Sequence, residues 1–146
     1  MNKPTFVIIH CSATKEGKDF TSKDVDKWHR ARGFRKIGYH YLIRLDGTIE
    51  VGRGESEEGA HAIGFNRKSV GICYVGGLDA DGKPKDTRTP EQKASMQALV
   101  TDIKARYKIE QVLGHRDLSV DLNGDGVITS NEWMKACPCF EAKRLE

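Results

Sequence analysis

Two histidines and one cysteine, far apart along the chain, have the side-chain types of a hydrolytic metal site. His10 and His115 each stand just beyond a run with strand character, and Cys137 lies in Lys135-Ala136-Cys137-Pro138. Two imidazoles and a thiolate suit zinc. Three protein ligands leave the fourth position of a tetrahedral ion to water, which catalysis needs and a closed structural site lacks. Spacing alone is not specific, because no local ligand pattern such as a paired-cysteine motif is present. A single histidine is commonly structural and a single cysteine commonly core, so both readings stay open at this level. Cys139 rivals Cys137 as a ligand, while Cys11 and Cys73 read as core thiols.

A second constellation lies between His115 and Cys137. Residues Asp121 to Glu132 fit the twelve-residue calcium loop D-x-[DN]-x-[DN]-G-x₅-E at every specified position. Asp121, Asn123 and Asp125 would offer side-chain oxygens, Val127 its carbonyl, Thr129 a direct or water-mediated contact, and Glu132 both carboxylate oxygens. The sequence shows no helix pattern leading into the loop, Pro138 would cut an outgoing helix short, and no second such motif is present to pair with it. The alternative is an Asp/Asn/Gly-rich turn that binds nothing. If calcium binds, its role is structural, orienting the helix start that presents Lys135 and Cys137.

These side chains need elements to place them. Phe6 to His10 reads as a buried strand. Thr21 or Ser22 caps a helix running to about Arg32, with Val25 and Trp28 on one face and Gly33 as its stop. Tyr39–Arg44 and Thr48–Val51 form a hairpin about Asp46-Gly47. Gly52 to Lys68 reads as a long functional loop. Val70 to Val75 is another buried strand. Thr89-Pro90-Glu91-Gln92 starts a helix that carries Met96, Leu99, Ile103 and Tyr107 at helical spacing. Gln111 to Leu113 is a short strand delivering His115, and a short helix begins near Ser130. The order predicts an α/β fold, a single domain over 1–146 whose central mixed β-sheet is flanked by helices. The internal hairpin argues against an all-parallel sheet.

Bulk properties bound the function. The 146 residues suit one domain with one core. A net charge of +3 without a basic stripe gives no case for nucleic acid. No apolar run nears the ~20 residues of a membrane span. The first, Phe6 to Ile9, is also too short for a signal peptide. The expectation is a monomer made in the cytoplasm without membrane insertion, which would reach an extracellular substrate only after release or export by another factor.

Several motifs occur in order: His10-Cys11-Ser12-Ala13-Thr14, Gly38-Tyr39-His40-Tyr41 with Asp46-Gly47-Thr48, Gly59-Ala60-His61-Ala62, Val75-Gly76-Gly77, Gly114-His115 and Lys135-Ala136-Cys137-Pro138. Together they resemble the phage-lysozyme type of N-acetylmuramoyl-L-alanine amidase, in the superfamily that includes the peptidoglycan recognition proteins. The resemblance runs from about Val7 to Phe140. It implies an amidase-like fold, zinc on His10, His115 and Cys137, and catalytic roles for Tyr39 and Lys135. The reaction it implies is hydrolysis of the amide between N-acetylmuramic acid and L-alanine in peptidoglycan, that is, cell-wall lysis.

Such a reaction needs an activated water and a stabilised oxyanion. Zinc would lower the pKa of bound water from 15.7 towards roughly 7. A thiolate ligand blunts its Lewis acidity, so Lys135 is expected to assist at the oxyanion, with Tyr39 orienting water or donating to the intermediate. Without the resemblance, Tyr39 would read as a sheet residue and Lys135 as a surface charge. His61 and Asn66 are candidate substrate contacts, although His61 could instead hydrogen-bond within its loop. His29 and His40 read as structural. The resemblance takes a shorter path to Lys-Ala-Cys-Pro, so the calcium loop is expected to be an insertion. Rival functions are a non-catalytic peptidoglycan-binding module on the same fold, a zinc peptidase acting within the stem peptide or away from the wall, and a calcium-sensing interaction protein.

Overall fold

The computed structural model describes residues 3–62, 64–118 and 137–145. The calcium-loop motif and Lys135 lie outside these residues. Five strands form the main sheet in the order β4-β3-β5-β1-β7. They are β1 (Phe6–Cys11), β3 (Tyr41–Ile43), β4 (Ile49–Val51), β5 (Ser69–Tyr74) and β7 (Gln111–Gly114). β1 pairs in parallel with both β5 and β7, and β3 pairs in parallel with β5. The β3–β4 hairpin is antiparallel, which makes the sheet mixed.

The centre of this sheet follows from composition. A strand covered on both faces must be apolar on both, and Val7, Ile8 and Ile9 have no exposed surface at all. Burying each contributes about 1.5–3 kcal/mol. Alternation then sends successive side chains to opposite faces. Val7, Ile9 and Cys11 join Val70, Ile72 and Tyr74 against helix α2 (Pro90–Arg106), through Met96, Leu99, Val100 and Ile103. On the other face Leu42, Cys73 and Val75 meet Val25 of helix α1 (Ser22–Ala31). His10 falls on this second face at the end of β1, in register with Cys73.

Both helix starts carry the caps their sequences specify. Thr21 and Asp24 form a capping box at α1, and Thr89 and Gln92 form one at α2. Gln92 does more than cap. It is wholly buried, and its Nε2 donates to the carbonyls of Ile43 (3.2 Å) and Val75 (3.0 Å), tying α2 to the sheet. On α1 the inward residues are Val25 and His29. Trp28 is 37% exposed and packs on Phe20 instead.

Two short parallel strands, β2 (Thr14–Lys15) and β6 (Gly77–Leu78), have no counterpart in the sequence pattern. Two residues cannot show a periodicity, so only tertiary contact reveals them. No helix among the described residues is long and apolar enough to cross a membrane.

Candidate metal centre

Three separate segments converge at the C-terminal edge of β1. His10 is its last residue but one, buried to 2% exposure. His115 opens a 3₁₀ turn (His115–Leu118) directly after β7, which pairs with β1. Cys137 comes from the segment that returns across the sheet. That segment is anchored by Arg116 N–H donating to the Cys137 carbonyl (2.8 Å) and by the Tyr74 hydroxyl donating to the Pro138 carbonyl. Ala142 and Leu145 bury themselves in the α2-side core. Gly114 permits this crossing, because a Cβ there would lie 2.6 Å from Pro138 Cδ.

Ligand atoms of His10, His115 and Cys137 all lie within 4.8 Å of one another. A tetrahedral zinc ion, with nitrogen at about 2.0–2.1 Å and sulfur at about 2.3 Å, spaces its ligands by about 3.3–3.6 Å. A contraction of about an ångström, within reach of side-chain rotation, would close this set on an ion. The Cys11 N–H donates to Cys137 Sγ at 3.0 Å, an arrangement that suits a thiolate. Cys139 is turned away, its thiol directed at the Gly77 carbonyl (3.2 Å).

The neighbouring thiols stay protonated. Cys11 is pushed up to about 12, chiefly by its hydrogen bond with Cys137, and burial raises Cys73 well above the usual thiol range. Cys139 is raised as well, first by hydrogen bonding with Cys11. Cys11 and Cys73 are core residues, at 6% and 0% exposure.

Tyr39 stacks beside the centre, its ring 5.1 Å from that of His10 and 5.2 Å from that of His29. Burial, and then the nearby Cys73, Cys137 and Cys11, hold its hydroxyl well above the ordinary phenol range. A phenol is neutral at about pH 7 even at its ordinary value, and this shift only deepens that state. His29 accepts from the Gly38 N–H through Nδ1 (2.8 Å) and His40 accepts from the Gly71 N–H (3.0 Å), so both brace the backbone that carries Tyr39.

His61 reaches the centre from the long loop. Its Nδ1 lies 2.8 Å from His10 Nε2, and its Nε2 lies 3.2 Å from Ser69 Oγ. Burial first, then His40 and His115, depress its pKa to about 3, so the ring is neutral. Asn66 stands behind it, its Oδ1 accepting from the N–H groups of His61 and Ala62 at 2.9 Å each. The loop is firmly braced rather than loose. Arg53 donates to the carbonyls of Ile37 and Glu58, and Glu55 bonds Tyr41, Arg106 and Tyr107.

Of the residues singled out in the sequence, His10, His115, Cys137, Tyr39 and His61 come together, and Asn66 sits one layer behind. Lys135 and the residues from Asp121 to Glu132 lie outside the described residues. Pattern reading missed the Cys11 N–H and Ser69. A backbone donor carries no side-chain signal, and Ser69 gains its position only through strand pairing.

The N-acetylmuramoyl-L-alanine amidase family profile matches residues 1–139. The endolysin of Klebsiella phage KP32 is 37% identical over 138 residues, covering 94% of this chain and 82% of that one. Among solved structures, the N-acetylmuramoyl-L-alanine amidase LysC from Clostridium intestinale superposes with a TM-score of 0.71 at 28% identity, over 94% of this chain and 77% of that one. Drosophila PGRP-LB gives a TM-score of 0.71 at 26% identity, over 99% and 79% of the two chains.

Proposed function

The chain belongs to the N-acetylmuramoyl-L-alanine amidase family and is an amidase of peptidoglycan, and from that premise we propose that it cleaves the bond between N-acetylmuramic acid and L-alanine with zinc held by His10, His115 and Cys137. The observation that carries the metal assignment is the convergence of these three donors within 4.8 Å from distant parts of the chain. When bound, zinc supplies an activated water at neutral pH and polarises the scissile carbonyl.

The chain's own groups account for the rest. His10 and Cys137 are held in place by hydrogen bonds at His10 Nε2 and Cys137 Sγ. Tyr39, a neutral phenol, is proposed to donate its proton where negative charge develops on the carbonyl oxygen. Lys135, two residues before Cys137 in sequence, is proposed as a further donor to that oxygen, and a cationic one. Burial of the inner ligand, His10, limits competing water. His61 and Asn66 are proposed as substrate contacts through the loop that carries them, although both ring nitrogens of His61 are engaged within the protein.

The enzyme is proposed to act on the wall after release by another factor, as a lytic agent. A calcium ion is proposed in the loop formed by Asp121, Asn123, Asp125, Val127, Thr129 and Glu132, on the strength of the sequence motif. The test of function is digestion of purified peptidoglycan followed by mass spectrometry. New free amino termini on L-alanine, lost when a zinc chelator is added, are expected. Wall binding without new termini would favour a binding module, and new termini elsewhere in the stem peptide would favour a peptidase.

A further inference from the structure

The hydrogen bond between His61 Nδ1 and His10 Nε2 has a direction, and the geometry around His61 fixes it. Ser69 Oγ lies 2.7 Å from the Phe65 carbonyl and 3.2 Å from His61 Nε2. A carbonyl oxygen only accepts, so the serine hydroxyl donates its single proton there. Its oxygen must then accept from His61, which places the His61 proton on Nε2. His61 Nδ1 is consequently an acceptor, and the partner 2.8 Å away, His10 Nε2, must carry a proton. A neutral imidazole has one N–H, so the lone pair of His10 lies on Nδ1.

We infer that Ser69 and His61 are positioning residues for the metal centre: a directional chain of hydrogen bonds from the Phe65 carbonyl through Ser69 and His61 holds His10 in the Nε2–H tautomer and makes Nδ1 its zinc-ligating nitrogen. This inference rests on the zinc reading. Metal-bound histidines generally donate their second N–H to such an outer partner, which sets ring orientation and ligand basicity.

The surroundings of His61 support a fixed ring. A Cβ on Gly71 would lie 2.7 Å from His61 Cγ, and one on Gly59 would lie 2.5 Å from its Cδ2. The ring therefore occupies a slot that two glycines create. Ser69 and Gly71 belong to β5 and share its face with Cys73, the register partner of His10. Strand β5 thus supplies the relay serine, one wall of the slot and the floor beneath His10. The His61 and His10 ring centroids lie 4.9 Å apart, a separation compatible with nitrogen facing nitrogen at 2.8 Å.

The Ser69→Ala variant removes the acceptor for His61 Nε2–H and with it the contact that selects this tautomer. In the other tautomer Nδ1–H turns a donor towards His10 Nε2, which moves the His10 proton to Nδ1, the metal side. The test measures the zinc dissociation constant by chelator competition, together with histidine tautomers by long-range ¹H–¹⁵N correlation in the zinc-loaded protein. Wild type should show Nε2–H on both His10 and His61. Ser69→Ala should bind zinc about 10- to 100-fold more weakly, and Ser69→Thr, which keeps the hydroxyl, should restore near-wild-type affinity. His61→Asn, with an acceptor near the Nδ1 position, should hold zinc better than His61→Leu. A wild-type His10 protonated on Nδ1 would overturn the inference, as would Ser69→Ala with unchanged affinity. In both cases wild type still binds zinc and the ligand assignment survives. A wild type that takes up no zinc would overturn the ligand assignment and the inference together.

Discussion

At the scale of single residues, similar side chains do different work because their surroundings differ. Four cysteines lie in or near the centre, yet only Cys137 shares the ligand cluster with His10 and His115. Cys11 contributes its backbone N–H rather than its thiol, and Cys139 bonds a carbonyl. Tyr39 is the clearest residue-scale prediction. Its ring lies 5.1 Å from that of His10, and its phenol is neutral, which is the basis for proposing it as a donor to developing charge. Tyr39→Phe should keep its zinc and lower turnover on peptidoglycan about 100-fold or more, the size typical of one lost oxyanion donor. Steady-state kinetics with parallel metal analysis checks this. Turnover near wild type would remove Tyr39 from the mechanism.

At the scale of elements, Gln92 joins a helix to the sheet. It closes the α2 cap and also satisfies the carbonyls of Ile43 and Val75 in a fully buried position. Gln92→Ala leaves those acceptors short of a donor and opens the cap, so a loss of about 2–4 kcal/mol is expected in urea unfolding. A loss below about 0.5 kcal/mol would show that water replaces the amide. This element also illustrates what was legible beforehand. Thr89-Pro90-Glu91-Gln92 announces a helix start in any context, because the cap is local. The sheet contacts of Gln92 depend on Ile43 in β3 and Val75 just beyond β5, 49 and 17 residues away, and no local pattern carries them. The same division holds at the metal centre. Strand runs placed His10 and His115 at strand ends, and the resemblance picked Cys137 over Cys139. Ser69 stayed invisible, since a serine opening a buried strand looks like any polar edge residue until pairing sets it behind a histidine.

At the scale of the whole molecule, the sheet brings distant sequence together at one edge. β1 lies between β5 and β7, so His10, the β5 face beneath His61, and His115 become neighbours although more than a hundred residues separate the two histidine ligands. The chain from Asp121 to Glu132 lies between two of those ligands in sequence, and in the proposed calcium loop its carboxylates would repel one another without a cation. Calcium should therefore raise the melting temperature, and Asp121→Ala should abolish the rise. A calcium titration with no heat and no thermal shift would end that proposal without touching zinc.

The measurement that bears most directly on the metal centre is elemental analysis of the purified protein beside its Cys137→Ser variant, with circular dichroism to show that both are folded. About one zinc ion per chain is expected in the wild type, and close to none in the folded variant. A folded Cys137→Ser protein that retains its full zinc would contradict the account at its centre.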